Sequence, residues 1–134
     1  MNSADPCPWF SHQHDVNFQD SGMTVLSMFD NANTLRANCN PNGNSRGYVL
    51  NVNQATMQVT PTLLADLGAF STGLGTAQLL PGGNYNFELG WILPGSFSVS
   101  REVKPDATTA FAMREQGLTY RSYRMSDLYT PALP

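Results

Sequence analysis

Apolar and polar residues alternate along most of this chain, in runs too short for ordinary helices. HDVNF (14–18) sets Val16 and Phe18 on one face, the two-residue period of a half-buried strand. MTVLSMFD (23–30) is a continuous apolar run with β-branched residues and the length of a strand. GYVLNVN (47–53) and ATMQVTP (55–61) are two more strands around a short Asn/Gln turn. The arrangement then recurs. GTAQLLPGGNYNFELGW (75–91) reads as strand, Pro-Gly-Gly turn, strand. SFSVSREVKPDATTAFAMRE (96–115) reads as strand, Lys-Pro-Asp-Ala turn, strand, and LTYRSYRM (118–125) predicts a last strand. NANTLRANCNPNGNSR (31–46) is polar and Asn-rich and predicts an exposed loop. PTLLADLGAF (61–70) is the one stretch that accommodates a helical turn.

The strands fall into two units, about residues 10–62 and 72–125, each with roughly four strands. This predicts an all-β fold: about two four-stranded blades of a β-propeller, in a single partial propeller segment over residues 1–134. A blade covers its faces with neighbouring blades, and known rings have at least about four. Two units cannot close a ring. The chain is therefore expected to be part of a longer propeller, or one protomer of a ring built from several chains. A plain two-sheet sandwich has the same strand count.

Composition adds exclusions. Charged residues are 13% of the chain, against about 25% in ordinary soluble domains. The net charge is -3 and the seven Lys and Arg are scattered, so no nucleic-acid partner is expected. No apolar run approaches the roughly 20 residues of a membrane-spanning helix. The opening MNSADPCPWF lacks the charged and apolar regions of a signal peptide. Cys7 and Cys39 lie in turn-rich surroundings, and either a single bridge or two thiols fits them.

Both histidines of the chain fall in PWFSHQHDVNF (8–18). His12 and His14, two apart on a strand, share a face and would make two metal ligands. Zinc takes three or four protein ligands, and there is no second His pair and no CxxC, so neither a metal nor a cofactor is expected. There is no GxSxG, and Ser11, His12 and Asp15 are too close in sequence for a hydrolase triad. Residue chemistry alone leaves SHQHD between a functional centre and polar strand residues that hydrogen-bond a loop.

The segments FSHQHDV, VLSMFDNAN, SRGYVLNVN, LGTAQLLPGGNYNFELGW and YRSYRMSDLY occur in that order. On them the chain resembles the bacterial arylsulfotransferases, from about residue 8 to 131. The resemblance implies the C-terminal part of a six-bladed propeller. It implies transfer of a sulfuryl group from an aryl sulfate to a phenol, without a nucleotide donor, through a sulfated histidine. It implies a periplasmic or extracellular setting. His14 of QHD carries over as the nucleophile, and Arg46 of SRG and Asn31 of FDN as substrate contacts. The implied partners are a small aryl sulfate, a phenol and the propeller blades that complete the ring.

Other roles stand beside these. Arg46 fits a salt bridge, and Asn31 and Asn33 fit turn punctuation. Asp15 would steady the His14 ring, but neighbours on a regular strand point to opposite faces. Gln13 and Gln78 read as structural hydrogen-bonders, Trp9 and Trp91 as packing residues. The chain also inserts ANTLRANCNPNGN between FDN and SRG, and lacks a further His/Asn pair and Arg ahead of QHD. The alternative reading is a non-catalytic propeller module that binds a ligand or partner.

Overall fold

The structure, a computed structural model, describes residues 10–125. The first four strands are β1 (Gln13–Phe18), β2 (Val25–Asp30), β3 (Arg46–Asn53) and β4 (Gln58–Asp66). The next four are β5 (Gly75–Leu79), β6 (Tyr85–Ile92), β7 (Phe97–Val103) and β8 (Thr109–Gln116). Each set forms a four-stranded antiparallel sheet in sequence order, β1-β2-β3-β4 and β5-β6-β7-β8. The fold is thus all-β, two successive four-stranded sheets stacked like consecutive propeller blades. Short turns fix the registers. At the β3–β4 turn the Asn53 carboxamide oxygen accepts from the N–H groups of Ala55 and Thr56, an Asx-type closure.

The alternation read from the sequence decides which residues meet. Phe29, Val49, Leu63, Ala65 and Leu67 of the first unit share one buried cluster with Ala77, Phe87, Leu89 and Val103 of the second. Burying a ring such as Phe29 or Phe87 is worth about 1.5–3 kcal/mol. Two glycines let the rings in. A Cβ at Gly47 would lie 2.5 Å from the Phe87 ring, and one at Gly75 would collide with the Phe29 ring. The close approach of the sheets therefore explains the glycine of SRG.

The outer faces differ. On the first sheet, Met28, Tyr48 and Leu50 form a second apolar cluster with Phe10 and Leu26 against it. An open groove of about 590 Å³ there is lined by Phe10, Leu26, Leu50, Val52, Met57 and Val59 among others. On the second sheet, the outward residues Thr76, Asn86, Glu88, Ser98 and Ser100 are polar and buried. They are covered by residues 118–125.

Four local expectations are corrected. Residues 118–125 are not a strand. They cross the second sheet as an irregular strap. The Thr119 N–H donates to Gly90 O, the Ser122 N–H to Thr76 Oγ1, and the Arg124 N–H to Gln78 Oε1. Gln78 Nε2 donates back to Arg124 O, so this side chain replaces a strand ladder. Residues 31–46 are not simply an exposed loop. They contain a six-residue helix, α1 (Asn33–Asn38), and wholly buried Asn31, Ala32 and Ser45. Residues 61–66 continue β4, and no helical turn forms there. Cys39 is disulfide-bonded; the other cysteine, Cys7, lies outside the described residues, as does Trp9. Trp91 is exposed rather than buried in the packing. No helix among the described residues is long and apolar enough to cross a membrane.

Candidate functional site

β1 is the edge strand of the first sheet and packs beside β5, the edge strand of the second. His14 sits here, paired with Phe29 and so on the face that carries the inter-sheet core. Directly after it the ladder breaks. The register passes from His14↔Phe29 to Asn17↔Ser27, so Asp15 and Val16 together oppose Met28. Asp15 has a φ of 51°, the left-handed conformation that a bulge of this kind needs. A bulge suspends strict alternation. The side chain after His14 is thereby free to turn toward the second sheet, where it bonds Ala77 and the strap rather than the His14 ring.

Asp15 is the hub of this corner. Its side chain is 3% exposed. Its Oδ2 accepts from the Ala77 N–H of β5 at 2.9 Å, capping an edge amide that has no strand partner on that side. Its Oδ1 accepts from Asn17 Nδ2 at 3.0 Å and from the Tyr123 hydroxyl at 3.3 Å. The Arg121 guanidinium lies 3.5 Å from the same oxygen and donates to the Tyr123 hydroxyl. The strap thus reaches across the second sheet and delivers Arg121 and Tyr123 to the β1 bulge.

His14 is half-buried, and no hydrogen bond among the described residues engages its ring. Its pKa is lowered from the ordinary 6.5, first by burial, then by the charges of Arg121 and His12, with Asp15 opposing. The ring is therefore neutral at pH 7 and carries a free lone pair. His12 is exposed and is held in a positive-φ conformation. Among the described residues no three His, Cys, Asp or Glu side chains converge as metal ligands.

Arg46 and Asn31 lie in a different environment. Arg46 Nε and Nη2 donate to Asp30 Oδ2 at 2.8 and 2.5 Å. The other Asp30 oxygen accepts from the N–H groups of Ser11 and Ala32, and the carboxylate is fully buried. Arg46 also stacks over Tyr48. Asn31 Nδ2 donates to Ser71 O at 2.8 Å and Leu74 O at 3.3 Å. Ser45 Oγ donates to Asn31 O and accepts from the Ser71 N–H. Asn31, Ser45 and Ser71 together tie the end of β2 to the connection between the sheets. The sequence placed His14, Arg46 and Asn31 in one site. In the structure Arg46 and Asn31 make internal bonds, and the charges acting on His14 are those of Arg121, His12 and Asp15. Arg121 is over 100 positions away from His14 in sequence, in a segment read as an ordinary strand, so sequence reasoning did not bring it to this corner. The one available signal was the pair of strap tyrosines flanking arginines in YRSYRM.

The family described as arylsulfotransferase (ASST) matches residues 3–94, which include β1 through β6. No match is found among curated proteins or among solved structures. The matched region holds QHD, FDN, SRG, the whole first sheet and two strands of the second, and it spans well over half of the sequence. This chain belongs to the arylsulfotransferase family.

Proposed function

We propose that this chain carries the nucleophile of a sulfuryl-transfer centre, with His14 accepting the sulfuryl group from an aryl sulfate. The observation that carries the reading is the state of His14: half-buried, free of hydrogen bonds among the described residues, and lowered in pKa. A neutral imidazole is the competent form for attack on sulfur. The lone pair forms an N–S bond as the bond from sulfur to the aryl oxygen breaks, and the aryl group leaves as phenolate. An acceptor phenol then forms the new S–O bond as the N–S bond breaks, and its proton ends on the released phenol. Splitting the transfer in two lets one site serve donor and acceptor in turn. No cofactor enters this scheme.

The two sheets act here as two blades of a larger propeller, six-bladed when complete, with the rest supplied by further chain or further copies. The apolar outer face of the first sheet is consistent with packing against another blade. The periplasm or cell exterior is the proposed setting, and a disulfide at Cys39 suits an oxidising compartment. A second reading, a non-catalytic module, is favoured by one observation. Arg46 and Asn31 are committed to internal bonds, which leaves few described groups to hold a sulfuryl anion.

The test is to expose the native purified protein to p-nitrophenyl sulfate and map adducts by peptide mass spectrometry. The proposal expects one sulfuryl group on His14, lost with His14→Ala along with release of p-nitrophenol. A folded native protein that never acquires the adduct sinks the enzymatic reading. Residues 1–134 alone are expected to turn over little or no substrate.

A further inference from the structure

The strap brings to His14 a cation that lies beyond the family match, which ends at residue 94. Arg121 is held by its Nη1, through the Tyr123 hydroxyl at 3.3 Å and Asp15 Oδ1 at 3.5 Å. Both anchors lie at the bulge that follows His14 in the chain. Its Nε and Nη2 donors make no hydrogen bond among the described residues, and its side chain is 42% exposed. A guanidinium steadied on one arm and open on the other presents donors in a fixed plane, a geometry suited to an oxyanion. The Tyr120 ring lies 5.3 Å from the guanidinium. Arg46 is the reverse case, with its donors turned to buried Asp30.

We propose that Arg121 is the oxyanion-binding residue of the His14 site, that it grips the oxygens of a sulfate monoester, and that Tyr123 positions it. This rests on His14 being the sulfuryl acceptor, but the binding site itself does not require turnover. Charge develops on the oxygens of the transferring group and on the departing aryl oxygen. A cation beside His14 stabilises both where they form. The same cation favours the neutral ring that the attack needs, and burial, Arg121 and His12 all act on His14 in that direction, against Asp15. The strap is then a working part of the site as well as a cover for the polar face of the second sheet.

The experiment is a titration of the native protein with inorganic sulfate and with p-nitrophenyl sulfate, followed through the His14 ring signals by NMR. Wild type is expected to bind both anions. Arg121→Gln is expected to weaken binding at least about tenfold, the worth of one charged hydrogen bond. Arg121→Lys should recover part of the loss, and Tyr123→Phe should give a smaller one. Arg124→Gln is the control for strap docking, since Arg124 pairs with Glu102 of β7 under the same strap. Equal binding by wild type and Arg121→Gln overturns the proposal. So does an equal loss in Arg124→Gln, which would assign the effect to docking. So does wild type that binds neither anion. If the anions bind through Arg121 but His14 is never sulfated, the catalytic reading fails and the anion site stands.

Discussion

Two aspartates near the same edge of the first sheet hold two arginines in opposite ways. Asp30 and Arg46 face each other across β2 and β3, are 2.5 Å apart, and are 0% and 15% exposed. Every oxygen of Asp30 is engaged, by two backbone N–H groups and the guanidinium. Asp15 and Arg121 come from segments far apart in sequence, are 3.5 Å apart, and are 3% and 42% exposed. The first pair is an internal brace: it fixes the start of the polar insert and leaves no arm for a ligand. The second joins the two sheets and the strap, and keeps an open guanidinium edge beside a neutral histidine. The two arginines thus differ in residual donor capacity: Arg46 is turned inward on Asp30, and Arg121 keeps donors open to solvent.

The comparison breaks most visibly at Asp30. Asp30→Ala strands a largely buried guanidinium and two N–H groups, and unfolding in urea should show a loss of about 3–5 kcal/mol. Asp15→Asn keeps a hydrogen-bond acceptor but removes the charge, and a loss of about 1–3 kcal/mol is expected in the same assay. It should also lower the His14 pKa further, because Asp15 is the group that raises it. An Asp15→Asn variant as stable as wild type would show that the sheets do not depend on this corner.

The smallest effect is on pH. The folded His14 pKa lies below the unfolded 6.5, so the unfolded chain takes up its proton first as pH falls. The stability associated with neutral His14 is full above pH 6.5. It is lost as pH drops from 6.5 to the lowered folded value. Arg121→Gln removes one cause of the lowering and should shrink this acid-side loss, whereas Arg46→Gln should leave it unchanged. NMR titration of His14 in both variants checks the contrast, and an equal response would erase the distinction drawn between the arginines.

Much of the fold was legible because strand alternation and turn chemistry are local. Val49 fell into step from period alone, and Phe87 and Leu89 lie in a strand marked by the Pro-Gly-Gly turn before it. The strap was not legible as a strap. TYRSYR alternates like a strand, but after the one backbone bond from Thr119 to Gly90 its partners on the sheet are side chains: Gln78, Thr76 and Glu88, whose Oε2 accepts from Ser122 Oγ. The polar insert hid its anchors for a related reason. Asn31 and Ser45 look like turn residues in sequence, yet their buried bonds are made to residue 71 and its neighbours. In the candidate site, His14 was proposed from its motif. The role of Asp15 required the bulge, which no single-sequence pattern announces.

The all-β class, the two successive units and the family could be read from the chain alone. Each of these rests on residue type or on short-range order along the chain. Only the tertiary structure decided which charges surround His14. Electrostatic partnership depends on distance in space, and a bulge at Asp15 together with a strap running from 118 to 125 placed Arg121 there while Asp30 drew Arg46 inward.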